Sequence, residues 1–139
     1  MTDFYIEGMD GLEKQLKELV KSMDPDKTEP VLLEGARDLA KEMKALAPAG
    51  PTANLKKSIR AKLLKRYVNN PAAGAGVNRR KAPHSHLVEF GTDDRYHKSG
   101  KYVGKMPMQP FLRPAWDANK ERITKGIIEK LKGLVDKCL

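Results

Sequence analysis

The residues of this chain that are best suited to bind a metal ion are its three histidines, His84, His86 and His97. A His-x-His pair chelates zinc when both imidazoles point to the same side, but a closed site needs further ligands. Those ligands would have to come from His97, the Asp93-Asp94 pair or the distant Cys138. The pattern favours partly exposed histidines in a loop or strand, and we expect no metal site.

Patterns for nucleophilic catalysis and phosphate binding are also incomplete. Ser85 lies between two histidines, but no nucleophile-elbow sequence surrounds it, and neighbours in sequence do not make a catalytic triad. The glycine-rich segment 72–78 lacks the lysine and the serine or threonine of a phosphate-binding loop. No acid, base and nucleophile are brought together by these patterns. We therefore expect a protein that is not an enzyme and uses no cofactor.

Positive charge is the strongest signal in the composition. The 139 residues include 27 lysines and arginines and 18 acidic residues, which leaves a net charge of +9. The segments 56–66 (KKSIRAKLLKR) and 78–81 (NRRK) could form one basic surface that contacts a phosphate backbone. No zinc-finger spacing, RNA-binding aromatic motif or clear helix-turn-helix accompanies them. Lysines spread over solvated helix faces explain the same charge equally well.

Length, cysteine content and hydropathy limit the class of protein further. The length is typical of a single domain, here residues 1–139. One cysteine allows no intrachain disulfide, which fits a reducing compartment. No apolar run approaches the roughly 20 residues of a membrane span, and the acidic N-terminus lacks a signal-peptide pattern. We expect a protein that is made in a cytosol, or built into an assembly there, without membrane contact.

Hydrophobic periodicity predicts two N-terminal helices. Asp10 is the expected cap of the first helix, and Asp24-Pro25-Asp26 ends it. Its apolar face consists of Leu12, Leu16, Leu19, Val20 and Met23. Thr28 is the expected cap of the second helix, with Pro30 in the first turn. Its stripe consists of Leu32, Ala36, Leu39, Ala40, Met43 and Ala47, and APAGP at 47–51 ends it.

The middle of the chain has the character of a small sheet. After a short helical turn, alternation predicts a strand from about Ile59 to Val68, and AGVNR at 75–79 could return antiparallel to it. The polar, basic and glycine-containing composition of residues 93–105 is typical of a mobile loop or a long exposed hairpin. The last helix is expected near Pro114. The predicted fold class is α+β: two N-terminal helices, a small antiparallel β-sheet, and a long C-terminal helix packed on the sheet.

The stretch MPMQPFLRPAWD, residues 106–117, concentrates prolines and apolar side chains before this last helix. Pro107 and Pro110 hold the backbone extended, so that Met108 and Phe111 are delivered to fixed places. Burial of Phe111 and Trp116 is expected to anchor the last helix to the core. Upstream, Glu89 stands among apolar residues and needs a partner, for which the guanidinium of Arg113 is the candidate. Gly91 suggests either a backbone position with positive φ or a tight stop of the preceding segment. We interpret this stretch chiefly as core architecture, with a subunit contact as the alternative.

Taken together, HLVEFGT, a polar loop and MQPFLRPAWD resemble the tail-completion, or head–tail joining, family of small neck proteins in long-tailed DNA phages. Annotation often names such chains gene-product-ten-like minor capsid or tail-component proteins of lambdoid phages. Upstream, TANLKKSI at 52–59 is similar to the family's Thr-Gly-x-Leu-x-x-Ser-Ile segment, with Ala53 in place of the usual glycine. His84-Ser85 stands where a Tyr-Ala pair often precedes Val-Glu-Phe-Gly-Thr. The order of elements agrees over nearly the whole chain.

The resemblance implies a non-enzymatic virion protein at the neck, assembled in the bacterial host cytoplasm. It implies a six-fold or twelve-fold ring through which DNA passes, with the head connector and the tail terminator or tail-tube proteins as neighbours. The motif residues are Glu89, Phe90, Gly91, Pro110, Phe111, Arg113, Pro114 and Trp116. Candidate residues facing partners or DNA are Arg60, Lys62, Arg66, Arg95, Tyr96, Lys98, Lys101 and Tyr102. The alternative, based on charge alone, is a free-standing nucleic-acid-binding domain.

Overall fold

The computed structural model describes residues 9–64 and 71–137. In chain order the elements are α1 (Met9–Ser22), α2 (Pro25–Leu46), α3 (Asn54–Ser58), β1 (Ile59–Leu63), β2 (Ala73–Val77), α4 (Ser85–Phe90), β3 (Arg95–Tyr96), β4 (Tyr102–Gly104) and α5 (Leu112–Asp136). The two N-terminal helices, the antiparallel strands and the long last helix confirm the predicted α+β class. None of the helices in these ranges is long and apolar enough to cross a membrane.

The starts of the first two helices correct the predicted caps. Asp10 lies inside the first turn of α1, which begins at Met9. Asp24 caps α2, because its carboxylate accepts the N–H of Asp26 at 3.3 Å and Pro25 occupies the first helical position. Thr28 is therefore an interior residue, whose hydroxyl donates to the carbonyl of Asp24. An acidic cap followed by proline is a stronger helix start than a threonine further on.

The antiparallel packing of α2 on α5 forms one side of the core. Gly35 lies so close to α5 that an added Cβ would be 2.5 Å from the Cδ1 of Ile127. Beside this contact, Lys130 pairs with Glu34 at 2.6 Å, and Arg122 approaches Glu42 at 3.6 Å. From the first ion pair to the second, the residue number rises on α2 (Glu34 to Glu42) and falls on α5 (Lys130 to Arg122), so the two helices run in opposite directions.

The other face of α2 carries the sheet. β1 and β2 pair antiparallel, with Ile59 opposite Val77 and Leu63 opposite Ala73. The core between α2 and the sheet contains the predicted stripe residues Ala40, Met43 and Ala47, together with Ile59. The start of α5 joins the same core through Phe111 and Ala115, which are fully buried. The last helix is thereby held against both α2 and the strand side of the core.

Some element bounds differ from the prediction. β1 ends at Leu63, and residues 65–68 of the predicted strand lie outside the described residues. β2 is antiparallel as predicted but spans Ala73–Val77. The loop at 93–105 is the hairpin β3–β4, and α5 begins at Leu112, two residues before the expected proline. These shifts arise because hydrogen-bond partners, rather than side-chain patterns, set the ends of elements.

Candidate functional site

Two segments that the sequence singled out meet in space, and we call their meeting point the junction: residues 88–92 with residues 106–113. The first segment ends the short helix α4, and the second leads into α5. The N–H of Gln109 donates to the carbonyl of Val88 at 2.8 Å, and the N–H of Thr92 donates to that of Met106 at 2.9 Å. The hydroxyl of Thr92 also accepts the N–H of Met106 at 2.9 Å. Backbone bonds thus fasten the start of α5 to α4.

Glu89 is the centre of the junction. Its carboxylate is buried and accepts three backbone N–H groups, those of Phe111 at 2.8 Å, Leu112 at 3.1 Å and Arg113 at 3.2 Å. A helix start leaves its first N–H groups without intrahelical partners. The fourth of them is absent here, because Pro114 has no N–H. Glu89 therefore caps α5 from 22 residues away, in place of the N-cap residue Phe111, whose own side chain makes no cap bond.

The environment of Glu89 keeps this carboxylate charged. Burial by itself would raise the pKa of Glu89. The N–H bonds from Phe111, Leu112 and Arg113 and the positive charge of Arg113 outweigh it, so the pKa lies below its ordinary value of 4.5. A negative charge at a helix N-terminus is also favoured by the helix dipole. The candidate partner Arg113 therefore acts mainly through its backbone N–H. No ion pair between its guanidinium and Glu89 occurs in the described part of the chain, which corrects the predicted bidentate pair.

Gly91 allows the two segments to approach each other. Its φ of 71° and ψ of −174° lie in a region that only glycine adopts readily, as predicted from its position after Phe90. A Cβ at this position would lie 2.8 Å from the N of Met108 and 2.9 Å from the carbonyl oxygen of Met106. Both the conformation and the space therefore require glycine.

The aromatic residues of the motif have opposite environments. Phe111 is fully buried, which confirms its expected place in the core. Trp116 is 44% exposed, so the prediction that it anchors α5 in the core is wrong. The ion pair of Arg122 with Glu42 shows why. Because the two helices are antiparallel, moving six residues back along α5 from Arg122 corresponds to moving six residues forward along α2 from Glu42. Trp116 therefore lies level with residue 48, which is past the end of α2 at Leu46.

A groove of about 500 Å³ lies beside the junction. We call it the Phe90 groove, and its lining includes Phe90, Met108, Pro110, Leu112, Arg79 and Arg113. Phe90 is 76% exposed and Met108 is 66% exposed. Neither Arg79 nor Arg113 forms an ion pair within the described ranges. The groove combines exposed apolar side chains with the positive charges of Arg79 and Arg113, and Arg113 acts on the Glu89 carboxylate, which also lines the groove.

A basic surface covers the outer face of the β1–β2 hairpin. Arg60 and Lys62 are exposed, and the residues opposite them on β2 are Gly76 and Gly74. Since glycine has no side chain, no β2 side chain stands opposite the two cations; the side chain of Leu64 lies over Gly74, 3.7 Å from where its Cβ would be. Arg66, the third predicted member, lies outside the described residues.

The β3–β4 hairpin carries the other predicted contact residues. Arg95, Tyr96, Lys98, Lys101 and Tyr102 are all exposed. The rings of Tyr96 and Tyr102 meet edge to face with centroids 5.5 Å apart, and the hydroxyl of Tyr102 lies 3.1 Å from a carboxylate oxygen of Asp94. The hairpin thus presents two ordered aromatic rings between cations, a surface suited to contact with a protein.

The histidines do not form a site in the structure. His84 is the N-cap of helix α4 and His86 lies inside it, which corrects the predicted loop or strand, and both are exposed. His97 lies in the β3–β4 turn. Among residues 9–64 and 71–137, no group of three or more histidines, cysteines, aspartates or glutamates could hold a metal ion.

The part of the chain from α1 through α4 matches a known family. The sequence profile of the bacteriophage HK97 gp10-like family, provisionally described as a tail component, covers residues 10–91. The chain belongs to this family. The HK97 gp10-like match ends at Gly91, so it includes the Glu89 half of the junction and leaves the segment 106–113 outside. The chain matched no curated protein and no solved structure.

Family membership confirms the resemblance inferred from the sequence. It makes the protein a phage tail component with a structural role, which places it in the virion. Sequence reasoning missed two surfaces of this HK97 gp10-like chain: the Phe90 groove and the exposed apolar face of α1. The apolar face of α1 could be recognised from its hydrophobic periodicity, but no local pattern showed that Leu12 and Leu16 are exposed.

Proposed function

We propose that this chain is a subunit of the phage neck that joins the head to the tail, as one member of a ring through which DNA passes. The tail-component family and the neck-protein resemblance of the two junction segments support this role. The observation that carries it is the exposure of Phe90 and Met108 on a frame of backbone hydrogen bonds. Ordered apolar patches on a small protein mark contact sites for other proteins.

The expected neighbours follow from this position. Further copies would complete a six-fold or twelve-fold ring, with the head connector on one side and the tail terminator or tail-tube proteins on the other. The β3–β4 hairpin, with Tyr96 and Tyr102 exposed, is suited to a contact with one of these neighbours. Aromatic and cationic side chains are enriched at such interfaces. The protein would act at the neck of the virion after assembly in the bacterial cytoplasm.

The proposal is tested by deleting the gene for this chain in the phage that encodes it and inspecting the lysate by electron microscopy. We expect filled heads and complete tails that are separate, and joined particles when the wild-type gene is supplied in trans. A variant lacking the hairpin tyrosines, Tyr96→Ser with Tyr102→Ser, should restore joining poorly. Val103→Ser, which removes an exposed apolar side chain from the same hairpin, is the matched control. Normal, infectious particles after the deletion would refute the proposed role.

The second candidate function, a free-standing nucleic-acid-binding domain, is favoured by the outer face of the β1–β2 hairpin. Arg60 and Lys62 are exposed there, opposite two glycines. For a neck subunit this face would give weak, non-specific DNA contact in the ring. Binding would fall steeply with salt, by roughly 0.9 log units per log unit of salt for each phosphate contacted.

Titration of a short DNA duplex at several salt concentrations separates the two candidates. Arg60→Ser with Lys62→Ser should weaken binding and lower the salt slope by about 2, because two phosphate contacts are lost. Removing the same charge from the C-terminal end of α5 and its C-cap, with Lys132→Ser and Lys137→Ser, is the control. Tight binding by the wild-type monomer at physiological salt would favour the nucleic-acid module over the neck subunit.

A further inference from the structure

One continuous segment of the chain carries its surplus of positive charge. Between Glu42 and Glu89 the sequence contains no acidic residue, although the whole chain has 18. The same segment contains ten basic residues: Lys44, Lys56, Lys57, Arg60, Lys62, Lys65, Arg66, Arg79, Arg80 and Lys81. Since the net charge of the chain is +9, the remainder of the sequence is nearly neutral. The two acids that bound the segment have other partners, because Glu42 approaches Arg122 and Glu89 caps α5.

Half of these cations meet at one corner of the structure. The N–H of Asn78, which follows β2 directly, donates to the carbonyl of Ser58, the last residue of α3, at 2.9 Å. Every cation of the corner is exposed and lies within three residues of this hydrogen bond. We call this set the basic corner: Lys57, Arg60, Arg79, Arg80 and Lys81. Three residues of chain span at most about 11 Å, so the five backbone positions are grouped around one point.

Backbone hydrogen bonds hold the turn of the basic corner in place. The side chain of Asn78 accepts the N–H of Arg80 at 3.1 Å, and its carbonyl accepts the N–H groups of Lys81 and Ala82, both at 3.0 Å. Ala82 is fully buried in the core, whereas residues 79–81 are exposed. No residue of the corner takes part in an ion pair within the described ranges. The corner is therefore an ordered surface of uncompensated positive charge.

The basic corner suits a phosphate backbone better than a protein surface. None of the large apolar side chains that the described residues expose lies in 54–64 or 71–86. A protein interface needs an apolar centre that excludes water, and lysine is depleted there. Duplex DNA needs only cations, because much of its binding free energy comes from the release of counterions. Arg79 marks the edge of the corner, since it also lines the Phe90 groove together with Glu89.

From these observations we propose that the basic corner is the surface through which each subunit contacts the phosphate backbone of duplex DNA in the ring. Lys57 on α3 and Arg80 and Lys81 on the turn thereby join the cations of β1. The corner faces the channel, and the contact is independent of DNA sequence because it involves phosphates and no base edges. This inference rests on the proposed function and deepens it, because it names the face that the subunit turns toward the DNA.

The test compares two double variants of the full chain that remove the same charge from different places. Arg80→Ser with Lys81→Ser disables the turn, and both side chains are exposed. The bonds of this turn to Asn78 are made by backbone N–H groups, so the fold should survive, which circular dichroism checks. Lys132→Ser with Lys137→Ser, at the C-terminal end of α5 and its C-cap, is the control.

Binding of a fluorescent DNA duplex is measured by anisotropy at several salt concentrations. We expect the wild type to bind at low salt with a Kd below about 100 μM. The turn variant should bind at least about ten-fold more weakly, with the salt slope lowered by about 2, and the control should change Kd less than about two-fold. A wild type that shows no binding up to about 1 mM, or a turn variant that loses no more affinity than the control, would overturn the proposal.

A photo-cross-link locates the DNA on the protein without changing its charge. In a Cys138→Ser background, Pro83→Cys places a thiol beside the basic corner, and Thr124→Cys places one on the exposed side of α5. With an azidophenacyl group attached, the first position should cross-link to the duplex and the second should not. Equal cross-linking from both positions would mean that DNA has no preferred face, which contradicts the proposal.

Complementation of the gene deletion separates this inference from the neck role. We expect the turn variant to restore joined particles whose DNA is transferred less efficiently. A variant that binds DNA like the wild type but leaves heads and tails separate would assign the corner to an acidic protein, which overturns the DNA contact and keeps the neck role. DNA binding that depends on the corner, together with normal particles after the deletion, would remove the neck role and keep the DNA-binding surface.

Discussion

Replacing Glu89 by glutamine removes the charge that caps α5 while keeping the size of the side chain. The carboxylate accepts the N–H groups of Phe111, Leu112 and Arg113 within 3.2 Å, and the rest of the helix start has no other cap. Glutamine offers one acceptor oxygen in place of two. Glu89→Ala removes all three acceptor contacts and tests the full effect.

The magnitude follows from burial. The bond to Phe111 is buried, and an unsatisfied buried donor costs about 1–3 kcal/mol. The bonds to Leu112 and Arg113 are only partly buried, so water replaces part of what is lost. Adding the helix-dipole contribution of about 0.3–1 kcal/mol, we expect Glu89→Ala to lower the free energy of unfolding by about 3 kcal/mol. Glu89→Gln should lower it by about 2 kcal/mol, a large share of a typical 5–15 kcal/mol.

Urea unfolding followed by circular dichroism at pH 7 measures these differences. Glu129→Gln, an exposed glutamate on the same helix, is the control and should change the free energy of unfolding by less than about 0.5 kcal/mol. If Glu89→Gln behaved like this control, the remote cap would not stabilise α5 and the reasoning would be refuted.

The pH dependence gives a second, independent readout. The pKa of Glu89 is lowered in the folded protein, so its stabilisation is present above the unfolded pKa and is lost as pH falls through the folded pKa. The difference between wild type and Glu89→Gln should therefore shrink as the pH is lowered below 4.5. A difference that stays constant down to about pH 3 would show that charge has no part in the cap.

Three further predictions concern single residues and are checked by thermal or urea unfolding. Ala53 has a left-handed φ of 51°, so Ala53→Gly should stabilise the protein by about 0.5–1 kcal/mol. The control Ala45→Gly, on the exposed face of α2, should destabilise it by about 1 kcal/mol, and a change of stability with the same sign in both variants would contradict the strain at Ala53. Gly91→Ala should cost about 3 kcal/mol or more, because the added Cβ meets backbone on both sides, and a loss below about 1 kcal/mol would show that the junction adapts. Phe111→Ala should cost about 3–5 kcal/mol and Trp116→Ala less than about 1.5 kcal/mol; the reverse order would place the tryptophan in the core after all.

Local patterns predicted much of this fold. The spacing of Ala40, Met43 and Ala47 identified the buried stripe of α2, since residues three or four apart share a helix face. Gly91 was recognised because few other residues adopt its backbone conformation. The resemblance to phage neck proteins came from short segments in order, and the HK97 gp10-like match confirms the family.

The candidate site could be predicted only in part. The residues of the junction were identified from their types, but the partner of Glu89 was assigned to a side chain instead of three backbone groups. Nearly every residue has a backbone N–H, so residue types do not show which of these groups needs a partner. That depends on where a helix begins, because the first N–H groups of a helix have no intrahelical acceptor. The basic residues on β1 were identified, while the absence of β2 side chains opposite them depends on the pairing with Gly74 and Gly76.

What the sequence determined by itself is the two N-terminal helices, the strand at Ile59, the long last helix and the apolar stripe of α2, because these depend on neighbours within one or two turns. The short helix α4 was not predicted. What the tertiary structure decided is which apolar faces are covered. Trp116 is exposed because α2 ends before reaching it, and Leu12 and Leu16 of the α1 stripe are exposed because none of the described elements buries the first turns of this helix. Both outcomes depend on the lengths and directions of elements far apart in the chain, and a hydrophobic pattern carries no information about what lies opposite it.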